Sequence, residues 1–145
     1  MTEEIYEKLS SLIQLDIDAV NAYEQAIEKC DDTFVREQLE IFKIDHQRHI
    51  DELSAYLIDY DMEPPAQKPD LKGFIIEGFT ALRSVTGTDG ALKAMKSNEE
   101  LTNKKYTEAL QWELDLDAMD IVTRGYEDEK THLSFIKEQL SVRTS

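Results

Sequence analysis

The sequence predicts an all-α four-helix bundle with a long crossover, and three observations carry that prediction. All three prolines, Pro64, Pro65 and Pro69, fall in the single stretch MEPPAQKPD. Helices can therefore run unbroken on both sides of it, because proline inside a helix removes a backbone donor and clashes with the preceding turn. Apolar residues recur at three- and four-residue spacing on four long segments, the mark of amphipathic helices. No segment alternates with period two over a useful length.

The first helix carries Ile5, Leu9, Leu12, Val20, Tyr23 and Ile27 on its stripe; the second carries Val35, Leu39, Phe42, Leu53, Tyr56 and Tyr60. The turn CDDT joins them, with Asp32 as the expected N-cap, since a short carboxylate can accept from the free N–H groups of the first turn. After the proline stretch, LKGFIIEGFTALRSV reads as a short, very apolar helix closed by TGTDG. A third long helix follows on Leu92, Met95, Thr102, Tyr106 and Leu110, and a fourth on Ala118, Val122, Ile136 and Leu140, capped by Asp115 or Asp117. The spacing between the second and third helices predicts a long crossover containing that short helix in place of a tight hairpin. The chain thus reads as one domain over 1–145, made of two halves, 3–61 and 88–143, joined by a crossover over 62–87.

Composition narrows the function. With 31 Asp plus Glu against 16 Lys plus Arg, the formal charge is −15, which repels nucleic acid and anionic membrane surfaces and favours cations as partners. The start MTEEIYEKLSSL is acidic where a secretory leader is basic, and no run is long and apolar enough to span a bilayer, so a cytoplasmic protein is expected. Cys30 is the single cysteine, which excludes an intrachain disulfide or a cysteine-based zinc knuckle and leaves the thiol as core filler.

Each of the four long stripes is interrupted by a metal-type ligand where the period calls for an apolar residue. The first passes through Asp16, the second through His46 and His49, the third through Glu99, the fourth through Glu129 and His132. The spacings repeat: a shift of 83 residues carries Asp16, Tyr23, His46 and His49 onto Glu99, Tyr106, Glu129 and His132, and Asp45 onto Asp128, with no insertion. This marks an internal duplication of a helical hairpin, each copy bearing half a site. A lone histidine on an apolar stripe is more often a satisfied core residue, but an unpaired buried carboxylate or imidazole costs several kcal/mol, and six together call for something to neutralise them.

A carboxylate on each of two helices with a Glu-x-x-His pair on each of the others is the ligand pattern of di-iron and di-manganese carboxylate bundles. The chain resembles the ferritin-like superfamily, near its bacterioferritin and rubrerythrin branches. The resemblance covers roughly residues 3–143. It implies Asp16 and Glu99 as terminal carboxylates, Glu129 as a bridge, His49 and His132 as terminal imidazoles, and Tyr23 and Tyr106 as phenols hydrogen-bonded to ligands, although both tyrosines also suit a plain core. It implies one or two iron ions, with zinc or manganese as alternatives, and O₂ or peroxide as co-substrates of oxidase- or peroxidase-type chemistry.

Two positions depart from that pattern. Asp16 replaces the usual Glu and is one methylene shorter. His46 replaces a bridging Glu, and a neutral imidazole offers one free lone pair, so one ion at most is expected on it. Three carboxylates and three imidazoles leave two divalent ions with a net charge of +1, which favours iron or zinc over manganese, or a single tightly held ion, and predicts slow O₂ chemistry. The competing functions are metal storage or buffering and a structural bundle with a vestigial site. Cage-forming ferritins are longer, with a fifth helix that is not read after Leu140. The apolar segment Leu71–Val85 reads as a cap on the bundle or as half of a homodimer interface.

Overall fold

The computed structural model describes residues 1–69 and 86–143. Four helices form among them: α1 (Glu3–Lys29), α2 (Thr33–Asp59), α3 (Gly87–Ala109) and α4 (Leu116–Arg143). They make an all-helical four-helix bundle. Among the described residues no helix is long and apolar enough to cross a membrane. The short helix expected at Leu71–Val85 lies outside the described residues, as does the apolar face that suggested a dimer.

Local chemistry sets the helix ends. Thr2 accepts from Ile5 N at the start of α1, Asp32 from Val35 N at α2, and Asp115 from Ala118 N at α4; of the two caps considered for α4, Asp115 makes this bond. Asp32 and Asp115 stand 83 residues apart, so the two hairpins end their turns alike. Helix α2 closes on a Schellman motif, with Asp61 N donating to Ile58 O and Met62 N to Leu57 O. Asp61 takes the left-handed conformation (φ 58°) that this motif needs. TGTDG differs from its expected role as a turn closing the crossover helix: α3 already begins at Gly87. The reason lies in Thr88, buried, whose Oγ1 accepts from Asp31 N (3.0 Å) and Asp32 N (2.9 Å) and so fastens the α1–α2 turn to α3.

Helix α1 packs on α2 and α3, and α4 packs on α3 and α2. The core divides into two apolar clusters. One gathers Leu9, Leu12 and Ile13 of α1, Ile50, Leu53 and Leu57 of α2, Tyr106 of α3 and Val122 of α4. The other gathers Tyr23 and Ala26, Val35, Leu39 and Phe42, Leu92 and Met95, and Ile136. Helix α2 ends in the first cluster and α3 starts in the second. Residues 60–69, which follow α2, lie along α1, where Glu63 O accepts from Tyr6 Oη and Lys68 O from Gln14 Nε2. Cys30, 2% exposed, packs in the second cluster.

Gly125 faces the ring of Tyr106: a Cβ there would lie 2.5 Å from Tyr106 Cε1. That ring is buried and its hydroxyl is held by Asp16, so it has no free direction in which to yield. We therefore expect Gly125→Ala to lower stability by about 1–3 kcal/mol through overpacking, in spite of the ~1 kcal/mol that alanine gains in a helix. Denaturant unfolding of the variant checks the sign.

Candidate metal centre

A polar layer separates the two apolar clusters. Asp16, Glu99, Glu129, His46 and His132 are fully buried there and His49 is 3% exposed. All six residues singled out by the interrupted stripes meet in this layer. They fall into two groups whose ligand atoms lie within 4.8 Å of one another and could hold a metal: Asp16, His46, His49 and Glu129, and His46, Glu99, Glu129 and His132.

Within each group the nitrogen and oxygen atoms lie at hydrogen-bond and ion-pair distances. On one side His46 Nδ1 lies 2.8 Å from Asp16 Oδ1 and 3.3 Å from Glu129 Oε1, with His49 Nδ1 3.2 and 3.5 Å from the same two oxygens. On the other, Glu99 Oε1 lies 2.9 Å from His46 Nε2 and 3.3 Å from His132 Nδ1, which is 3.6 Å from Glu129 Oε2. Tetrahedral ligands at ~2.1 Å from a metal stand about 3.4 Å apart; the pairs at 3.2 to 3.6 Å already match, while the hydrogen-bonded pairs of His46 at 2.8 and 2.9 Å would have to open to admit an ion. Glu129 Oε1 is buried and makes no hydrogen bond. A buried carboxylate oxygen without a hydrogen bond is costly; its nearest cationic neighbours are His46 Nδ1 at 3.3 Å and His49 Nδ1 at 3.5 Å, and a metal ion would hold it more closely.

The residues behind the ligands are paired across the bundle. Tyr23 Oη on α1 donates to Glu99 Oε1 on α3 (2.5 Å), and Tyr106 Oη on α3 donates to Asp16 Oδ2 on α1 (2.5 Å). His49 Nε2 on α2 lies 2.8 Å from Asp128 Oδ2 on α4, and His132 Nε2 on α4 lies 2.9 Å from Asp45 Oδ2 on α2. Because an ionised carboxylate only accepts, Nε2 of each ring carries the proton and Nδ1 faces the centre, the carboxylate–histidine arrangement that orients metal-bound imidazoles. Phe42 stacks on the His132 ring at 4.3 Å. Thr102 Oγ1 stands 2.9 Å from both Glu99 Oε2 and Glu129 Oε2.

Sequence reasoning did not assign roles to Asp45, Asp128 and Thr102. The 83-residue shift relates Asp45 to Asp128 and was the signal for that pair; Thr102 was read only as part of a stripe. We expect Asp128→Asn to weaken metal binding about 10–100-fold, because an amide oxygen holds the His49 N–H less firmly; equilibrium titration of the variant measures it.

The protonation of the metal-free cluster follows from these contacts. Burial alone would push the His49 imidazole down, but the charge of Asp16 and hydrogen bonds to Asp128 and Asp16 raise it to about 12. Burial is likewise outweighed at His132, raised to about 11 by Glu99 and Asp45, and at His46, raised to about 9 by Glu129 and Glu99. At Asp16 burial works upward, and His49 and His46 overcome it to leave the carboxyl below its ordinary value. At Glu99, burial is overcome by His46 and His132, leaving it well below. Glu129 is raised, by burial and then by the charge of Glu99. Asp128 is held at about 2: His49 and Arg48 outweigh its burial. Without metal, three imidazolium rings neutralise the buried carboxylates.

Comparison with known proteins agrees with this picture. Residues 4–112 match a family model described as a domain of unknown function, DUF2383. Over 123 residues the chain is 32% identical to a ferritin-like-encapsulin shell fusion protein of Pyrococcus furiosus. That alignment takes in 85% of this chain but 32% of the relative, so the chain spans about a third of that protein's length. With four helices around a buried carboxylate and histidine layer, the chain belongs to the DUF2383 family and, with it, to the ferritin-like superfamily.

Proposed function

We propose that the chain binds divalent transition-metal ions, iron first among them, through Asp16, His46, His49, Glu99, Glu129 and His132, and that it carries out oxidase- or peroxidase-type chemistry there. The observation that carries this reading is the pair of buried ligand groups sharing His46 and Glu129, with Glu129 Oε1 left without a donor. Bound iron would supply one-electron steps. Two ferrous ions would together give the two electrons that, with two protons, turn one peroxide into two waters.

The protein's own groups set the rest. Asp128 and Asp45 hold His49 and His132 with Nδ1 inward. Tyr23 and Tyr106, raised well above the ordinary phenol value by burial and then by Glu99 and Asp16 respectively, stay protonated and donate to those carboxylates. The apolar clusters on both sides exclude water.

The test is elemental mass spectrometry of protein purified without chelator, followed by ferrous iron and peroxide turnover in wild type and Glu129→Ala. One or two ions per chain, with turnover lost in the variant, supports the reading. Bound but inert metal removes the enzymatic part, and no metal together with an unchanged melting temperature on metal addition removes the whole.

The fusion of a ferritin-like relative to an encapsulin shell supports a second reading, in which the chain oxidises iron for storage alongside a shell. Iron retained far above two ions per chain only when shell protein is present would favour it. We further propose a homodimer in the cytoplasm. Ile41, Ile44 and Ile58, all exposed on α2, support a second copy, and a solution mass of one chain would end that proposal.

A further inference from the structure

The two ring nitrogens of His46 are placed unlike those of the other histidines. His49 and His132 each turn Nε2 outward to an aspartate, which fixes that nitrogen as a donor and leaves one nitrogen for the centre. His46 has no such outer partner among its hydrogen bonds. Its Nδ1 is 2.8 Å from Asp16 Oδ1 and its Nε2 is 2.9 Å from Glu99 Oε1, so one nitrogen enters each ligand group. Glu129 divides in the same way, with Oε1 toward His46 Nδ1 and His49 and Oε2 toward His132.

Resting on the metal-binding reading above, we propose that His46 bridges two divalent ions as an imidazolate, one ion at each ring nitrogen, where a carboxylate would otherwise bridge. The neutral ring, with a single lone pair, serves one ion only. Losing both N–H protons frees a second pair. As the two metal–nitrogen bonds form, the two ring protons of the imidazolium pass to solvent, with no change in oxidation state.

Charge argues for the same species. Two divalent ions against Asp16, Glu99 and Glu129 leave +1 in a layer with almost no exposure to water, where an uncompensated charge is expensive. The imidazolate supplies the missing negative charge and the centre becomes neutral. Bridging through a ring also sets the metal spacing. Two metal–nitrogen bonds of ~2 Å added to the span of the ring put the ions about 6 Å apart, against about 3.5–4 Å in ordinary two-metal sites.

The test is anomalous diffraction at the zinc edge from crystals of the full chain loaded with zinc, with zinc counted by elemental mass spectrometry. Two ions about 6 Å apart, on opposite sides of the His46 ring, is the expected result. Two ions about 4 Å apart, or a single ion, overturns the bridge and leaves metal binding standing; no zinc overturns both. In His46→Gln, which has only its amide oxygen to offer an ion, the affinity for the second zinc should fall at least tenfold. Two ions held with unchanged affinity in that variant also overturn the bridge.

Discussion

Loading the cluster with two divalent ions is expected to release three protons per chain near neutral pH, or four with His46 as the bridging imidazolate, and the overall binding constant should rise at least a thousandfold per pH unit. Each histidine in the metal-free protein is protonated there, with values raised to about 9, 11 and 12 for His46, His132 and His49. A nitrogen that carries a proton cannot bind a metal, so every imidazole engaged must give one up. Each proton released contributes a factor of ten per pH unit, and the slope holds until the pH passes about 9, where His46 begins to lose its proton unaided.

Stability of the metal-free protein runs the other way. The histidine values are raised above 6.5, so the contribution of the rings is complete below about 6.5 and fades as the pH climbs through 9 to 12. Asp16 and Glu99 are lowered, so theirs is present above the ordinary carboxylate values and is lost as the pH falls. The metal-free bundle is thus most stable on the mildly acidic side, while the loaded bundle gains with pH up to about 6.5, where the histidines of the unfolded chain lose their own protons. Titration calorimetry in two buffers of different ionisation enthalpy counts the protons. A pH-independent affinity, or release of fewer than one proton, would refute this protonation scheme.

The fold and the inward placement of the six polar side chains were legible because both are periodic. A helix that must bury one face writes apolar residues at three- and four-residue spacing, and Asp16, Glu99 and the two His-containing pairs stood out as breaks in that writing. Asp45 and Asp128 were harder to see. Each sits just before a ligand on its own helix yet serves a histidine on the opposite one, and among 31 acids a single aspartate is indistinguishable from a solvated one. Gly125 stands three residues after Val122 on the stripe of α4, and only the Tyr106 ring against it gives the reason for a glycine there. TGTDG has the composition of a turn, and what places it in α3 is Thr88, whose partners lie more than fifty residues away. The direction of each nitrogen of His46 depends on where four helices put their oxygens, and no local pattern encodes that.

Replacing His46 with glutamate should make the bundle depend on metal for its stability. In the metal-free protein the His46 ring, raised to about 9, is a cation lodged between Asp16 Oδ1 at 2.8 Å, Glu99 Oε1 at 2.9 Å and Glu129 Oε1 at 3.3 Å. His46→Glu removes that cation and adds a fourth carboxylate to a layer where the position is fully buried, leaving two imidazolium rings to balance it. Breaking a buried ion pair costs about 3–5 kcal/mol, a large share of the roughly 5–15 kcal/mol that holds a domain of this size. Divalent metal at a thousand times its dissociation constant would return about 4 kcal/mol, so the variant should unfold early without metal and recover with it. His46→Gln, neutral and of similar size, should fall between the two. Denaturant unfolding of all three proteins, with and without zinc, checks the order. A metal-free His46→Glu protein as stable as wild type would show that the ring is not acting as the cation of the empty site. The expected order gives His46 a physical reason to replace a carboxylate: an imidazolium lets the bundle fold before any metal arrives.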